Sequence, residues 1–192
     1  DHRDLHSFPT RRSSDLVNDI VRKFNSIYGK GKNILKICKP LLSKTTRLPG
    51  IDGKAKASKS LNNGIYLADS DEEIKRKVMA MYTDPGHIKV SDPGQIQGNA
   101  VFTYLDAFDP NKKEVEELKA HYKKGGLGDV AIKKRLIGVL VNLIQPIRER
   151  REKLARDPEK VMKILEQGSA EAKKVAEQTM TEVKKAIMID YF

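Results

Sequence analysis

"DVAIKKRLIGVLVNLIQPIRERR", residues 129–151, decides how the rest of the chain is read. Ile132, Leu136, Val139, Leu140, Leu143, Ile144 and Ile147 recur three and four residues apart, which puts them on one face of an α-helix. Asp129 stands where a helix is capped, and Pro146 where one is kinked. The most apolar part, "LIGVLVNLI" at 136–144, is far shorter than the ~20 residues that cross a bilayer. A soluble protein with no membrane attachment is therefore expected. A helix with one apolar face needs neighbours to cover it.

The neighbours can be read on both sides. Downstream, "RDPEK" (156–160) opens a helix, Gly168-Ser169 is expected to end it, and Val175, Ala176, Val183 and Ile187 give the following helix a buried stripe. Upstream, Asp109-Pro110 opens a helix that stops at "KKGGLG" (123–128). The chain from Asp109 onward thus predicts an α-helical bundle. Before it, "DSDEEIKRKVMAMY" (69–82) carries the S-x-x-E capping pattern at Ser70 and Glu73, with Ile74, Val78, Met81 and Tyr82 on one face. Two similar turns, "TDPG" (83–86) and "SDPG" (91–94), bracket "HIKV", and "GNAVFTYLDAF" (98–108) sends Val101, Leu105 and Phe108 into a core. Near the start, Val17, Ile20, Val21, Phe24, Ile27 and Tyr28 predict an amphipathic helix ending at Gly29. "ILKICKPLL" (34–42) then reads as a strand that Pro40 confines to an edge. A helix followed by a strand is the tail of an α/β unit.

Residues 1–16, "DHRDLHSFPTRRSSDL", have no apolar period. Back-translated, they spell a common sequencing-library adapter. The run is expected to be a translated cloning scar, disordered and outside the fold. Its three Arg and three Asp cancel, so the net charge of +11 belongs to Val17–Phe192. There, 11 basic residues face 2 acidic ones over 17–60, 4 face 7 over 61–108, and 19 face 14 over 109–192. The first block is a basic surface suited to nucleotide phosphate or nucleic acid. Cys38 is the single cysteine, which excludes an internal disulfide and a cysteine-rich zinc site and fits a reducing cytosol. His87 and His121 have no second ligand at a telling spacing, so no protein-held metal is expected.

The chemistry concentrates in "GIDGKAKASKS" (50–60). Lys54, Lys56 and Lys59 fall within six residues, beside Ser58 and Ser60, on a loop that Gly50 and Gly53 are expected to make mobile. Converging ammonium and hydroxyl donors suit a polyanion. The glycines precede the lysines at the wrong spacing for a P-loop.

"KASKS" (56–60) resembles the K-M-S-K-S signature of class I aminoacyl-tRNA synthetases, with Ala57 where the signature has Met. Through "GNAVFTYLDAF", "YKKGGLGD" and "PIRERR", the similarity to the bacterial tryptophanyl-tRNA synthetases extends over essentially Val17–Phe192. This resemblance implies the C-terminal portion of a Rossmann-like catalytic domain followed by an α-helical bundle. Residues 17–64 would end the catalytic domain, 65–108 would connect, and 109–192 would form the anticodon-binding domain. It further implies ATP-dependent activation of L-tryptophan, with Mg2+ bound alongside ATP, transfer to tRNA, a homodimeric full-length parent and a cytoplasmic location. Lys56 and Lys59 would act on the transferring phosphates, with Ser58 and Ser60 as hydroxyl donors to ATP, and Arg47–Pro49 would offer backbone groups to the adenine. Arg148, Arg150 and Arg151 are candidate tRNA contacts. The family's H-I-G-H-type motif is absent before the lysine loop, so a fragment inactive by itself is expected. Two other readings stand beside this one. Another class I synthetase, such as the tyrosyl enzyme, would differ in the amino acid it activates, and a non-catalytic RNA-binding helical module would have no use for ATP.

Overall fold

Apolar residues from four helices and the loops between them meet in one core. The computed structural model describes residues 13–41, 45 and 47–191. Among these, six helices form: α1 (Ser13–Tyr28), α2 (Asp71–Met79), α3 (Ala100–Phe108), α4 (Lys112–Lys124), α5 (Asp129–Ala155) and α6 (Pro158–Ala186). The described residues pack as two units, one within 43–157 and one from the parts of the chain before and after it. This division by packing does not follow the functional boundaries expected at 64 and 108.

In the 43–157 unit, α2 and α3 both pack on α5, and α4 packs on α3. Ile132, Leu136, Leu140 and Ile144 of α5 are buried against Ile74 and Val78 of α2, Val101, Phe102 and Leu105 of α3, and Val115 and Tyr122 of α4. Each such side chain contributes about 1.5–3 kcal/mol on leaving water. The buried stripe of α5 is narrower than its sequence pattern: it keeps to the four-residue row, while Leu143 is exposed.

Short polar side chains start the helices. Ser70 Oγ accepts the Glu73 N–H at 3.2 Å, Asn99 Oδ1 accepts the Val101 N–H at 3.1 Å, and Asn111 Oδ1 accepts the Glu114 N–H at 3.2 Å. Helix α4 therefore starts after Asn111, while Asp109 receives the Arg135 guanidinium at 2.8 Å and the Asn111 N–H at 2.9 Å. Asp129 is the first residue of α5, not its cap, and Gly128 takes the cap position. The helix also runs through Pro146 to Ala155. Proline leaves the carbonyl four residues back without its N–H, and Asn142, which carries that carbonyl, is exposed.

The other unit departs furthest from expectation. Most of the adapter-like run, residues 1–12, lies outside the described residues, but α1 already begins at Ser13 inside the run. No strand forms among the described residues of 34–42, and Leu42 lies outside them. A strand needs a second strand for its ladder, and here two asparagines of α1 take that place. Asn25 donates to the Leu35 carbonyl at 2.8 Å and accepts the Leu35 N–H at 3.0 Å. Asn18 does the same for Cys38, at 2.9 and 2.7 Å. The amides repeat seven residues apart on one helix face and hold an extended segment in register.

Helix α6 is continuous, so Gly168-Ser169 does not end it. A glycine inside a helix costs only about 1 kcal/mol, and the residues around it are strong helix formers. The stripe expected at Val175, Ala176, Val183 and Ile187 is not buried: no residue of α6 is, and Val175 is 63% exposed. Among the described residues, no helix is long and apolar enough to cross a membrane.

Candidate functional site

The lysine loop is a small hairpin with a fixed base. Pro49 and Lys56 pair as an antiparallel bridge, the Gly50 N–H donates to the Ala55 carbonyl at 2.7 Å, and the Ala57 N–H donates to Leu48 at 3.1 Å. The Gly53 N–H closes the turn on the Gly50 carbonyl at 2.9 Å. Gly53 has φ +69°, and a Cβ there would lie 2.5 Å from the Tyr82 ring; one on Gly50 would lie 2.2 Å from the Asn63 amide. The glycines thus permit close packing and a left-handed turn.

Asn63 is the staple. It is buried, its Oδ1 accepts the Ser58 N–H at 2.8 Å, and its own carbonyl accepts the Ile51 N–H at 2.7 Å. Tyr66 donates its hydroxyl to the Ser58 carbonyl at 3.2 Å, and Tyr104 of α3 donates to the Pro49 carbonyl at 2.9 Å. Burial pushes the Tyr104 hydroxyl up to about 12, so it remains a proton donor across the ordinary pH range. The carbonyls of Leu48 and Pro49, within the stretch assigned to adenine, are already used as acceptors inside the hairpin.

With the base held, the candidate lysine side chains face outward. Lys56 and Lys59 are exposed, and among the described residues neither forms an ion pair. The hydroxyls of Ser58 and Ser60 lie 2.8 Å apart. Lys56 on the bridge and Lys59 in the following turn thus carry ammonium groups without an ion-pair partner among the described residues, beside two hydroxyls, which suits phosphate oxygens. Ala57 is half-buried, its Cβ 3.7 Å from where Gly64 would carry one. Among the described residues, no group of three His, Cys, Asp or Glu side chains gathers as a metal site. Cys38 is exposed.

The segment after the hairpin is bolted to α2 and α5. Lys77 is buried, pairs with Asp69 at 2.7 Å and lies 4.2 Å over the Tyr66 ring. Arg148 donates to the Asp69 carbonyl and to the Asp71 carboxylate, both at 2.7 Å. Of the three candidate tRNA arginines, Arg148 is thus engaged within the chain, while Arg150 and Arg151 are exposed. Arg151 lines a cleft together with Lys59.

A further cluster joins residues far apart in the chain. Asp129 accepts from Thr83 Oγ1 at 2.5 Å and from the Tyr122 hydroxyl at 2.7 Å, and His87 Nδ1 lies 3.1 Å away. Burial works against its charge, but these hydrogen bonds prevail and hold the Asp129 carboxyl below its ordinary value. No spacing announces this cluster, because its members are 42 and 46 residues apart from Asp129 or reach it across a turn; only the first "TDPG" marks one end. It pins the turn at 83–86 to the start of α5.

Residues 15–145, from α1 through most of α5 and including the whole hairpin, match the model of a family described as tRNA synthetases class I (W and Y). The chain belongs to this class I synthetase family. It is 54% identical over 180 residues to the tryptophan–tRNA ligase of Clostridium longisporum, covering 93% of this chain and 52% of that protein. A Streptococcus agalactiae tryptophan–tRNA ligase is 49% identical over 189 residues, with 93% and 53% covered. The chain spans about half the length of these curated relatives. The structure resembles that of tryptophanyl-tRNA synthetase from Campylobacter jejuni complexed with ADP and tryptophan: TM-score 0.67, 26% identity, covering 91% of this chain and 53% of that one. A tryptophanyl-tRNA synthetase from Giardia lamblia aligns over 55% of this chain and 28% of that one, with TM-score 0.51 and 34% identity.

Proposed function

We propose that this chain is the C-terminal part of a tryptophan–tRNA ligase, and that its KASKS hairpin serves the activation of tryptophan by ATP. The observation that carries the reading is the hairpin and the turn after it: a base held by Asn63 and Tyr104, with Lys56 on its bridge and Lys59 in the next turn, neither in an ion pair among the described residues. In the reaction, the carboxylate of tryptophan attacks the α-phosphorus of ATP, tryptophanyl-adenylate forms and pyrophosphate leaves. The amino acid then passes to the terminal adenosine of tRNA. Negative charge spreads over the departing diphosphate, and Lys56 and Lys59 supply positive charge there. Ser58 and Ser60 add hydroxyl donors. Mg2+ would travel with ATP, bound by phosphate oxygens.

The rest of the chain has roles that follow from the same reading. Residues 17–64 would complete a Rossmann-like catalytic domain, 65–108 connect it, and 109–192 bind the anticodon arm of tRNA, with the exposed Arg150 placed to meet its phosphates. The full-length protein would be a cytoplasmic homodimer, where the exposed Cys38 would remain reduced. Exchange of labelled pyrophosphate into ATP by the full-length protein tests the reading. Exchange is expected with tryptophan and not with tyrosine, and this chain by itself is expected to give none. Exchange driven by tyrosine would transfer the assignment to the tyrosyl enzymes.

A further inference from the structure

We propose that Arg151, on α5, is a diphosphate-binding residue that acts together with Lys59 across the cleft between the hairpin and that helix. The inference rests on the KASKS hairpin being a nucleotide-binding element. The cleft has a volume of about 590 Å³, within the roughly 300–1,000 Å³ of ordinary ligand sites. Its charged lining is Lys59, Arg151 and Asp69. Asp69 is already committed, to the buried Lys77 at 2.7 Å and to the Tyr66 N–H at 2.8 Å. Among the described residues, neither Lys59 nor Arg151 has an ion-pair partner of its own. Two cations therefore face one concave surface with no free anion on it, and such a surface attracts a multiply charged anion.

Specific bonds hold the backbone on each side of the cleft. On the hairpin side, the Asn62 N–H donates to the Lys59 carbonyl at 3.1 Å, and Asn62 itself is in the left-handed region at φ +47°. On the helix side, Arg148 ties α5 to Asp69 and Asp71. Arg151 lies three residues further along the same helix, so this tie sets its distance from Lys59. The two arginines divide the work: one anchors α5 and the other projects into the cleft. The guanidinium presents paired donors to phosphate oxygens, and the ammonium adds a point charge. A diphosphate, with anionic oxygens on both phosphorus atoms, offers acceptors to each of them.

Calorimetric titration of the chain with inorganic pyrophosphate, and separately with ATP, tests this. Arg151→Gln and Lys59→Ala are each expected to weaken pyrophosphate binding about five- to tenfold. Lys153→Gln, which removes one charge from α5 outside the cleft, is expected to change it less than twofold. Weakening by Arg151→Gln with both titrants supports a site for free and nucleotide-borne diphosphate, and weakening with pyrophosphate alone supports one for the released product. Wild-type affinity in Arg151→Gln with loss in Lys59→Ala would overturn the role of Arg151 and leave the hairpin reading standing. Wild-type affinity in both variants would overturn both. Absence of pyrophosphate binding by the unaltered chain, or equal losses in Arg151→Gln and Lys153→Gln, would also overturn the proposal.

Discussion

Replacing Asn63 by alanine isolates the bond on which the hairpin depends. The side chain is buried and its Oδ1 accepts the Ser58 N–H at 2.8 Å, whereas its contacts to Asp52 Oδ1 and the Lys56 carbonyl are both 3.4 Å. At that length the latter two contribute little, so the loss is governed by one hydrogen bond and one half-buried N–H left without an acceptor. Such a loss costs about 1–3 kcal/mol. No apolar core is disturbed, because the Asn63 amide packs against Gly50 and not against the α2–α5 cluster. Asn63→Ala is therefore expected to lower the urea midpoint with an unchanged slope, and to abolish hydrogen-exchange protection at the Ser58 amide. Asn63→Asp retains the acceptor and should preserve protection at Ser58 better than alanine does. A stability change under about 0.5 kcal/mol, with Ser58 still protected in the alanine variant, would show that the hairpin is held by something else.

Three further outcomes are expected. Gly168→Ala should stabilise α6 by about 1 kcal/mol and raise helical circular dichroism, since a Cβ there meets nothing within 4 Å and the helix is continuous; a loss of helicity would restore a break at this position. Gly53→Ala should destabilise the hairpin by about 1–3 kcal/mol, because it combines positive φ with a Cβ 2.5 Å from Tyr82, and an unchanged thermal midpoint would contradict that. The Asp129 carboxyl lies below its ordinary value despite burial, through its bonds to Thr83, Tyr122 and His87. A depressed native pKa adds stability above the unfolded value, about 3.9, that disappears as pH falls through the native one. Acid titration of stability below about pH 4 should thus be shallower in Asp129→Asn than in the unaltered chain, and identical slopes would remove Asp129 from the account.

Periodicity made the core legible. Ile132, Leu136, Leu140 and Ile144 are buried as the α5 pattern required, and Ser70, Val101 and Leu105 occupy the expected cap and core positions. Failures came where a pattern depends on partners that periodicity does not name. The 34–42 segment has strand composition, yet its backbone bonds go to Asn18 and Asn25. Helix α6 has an apolar stripe but buries none of it, because burial depends on what lies opposite. At the proposed site, composition singled out the Lys/Ser loop and the resemblance assigned the KASKS residues their roles, whereas neither marked Asn63. Its significance lies in reaching back five residues to the Ser58 N–H, a local bond that composition treats as loop. Arg148 and Arg151 look alike in "PIRERR", and only the structure separates the anchored arginine from the one in the cleft.

The central claim is that the hairpin lysines act on phosphate charge as it moves. It is tested most directly by single-turnover formation of tryptophanyl-adenylate at saturating ATP, in the full-length protein with Lys59→Ala. Removing one such donor is expected to slow the chemical step about a hundred- to thousand-fold, or roughly 2.7–4 kcal/mol, with little change in KM for ATP. Lys54→Ala, one step outside the signature, should have a much smaller effect. A rate close to wild type for Lys59→Ala, or an effect confined to KM, would contradict the claim.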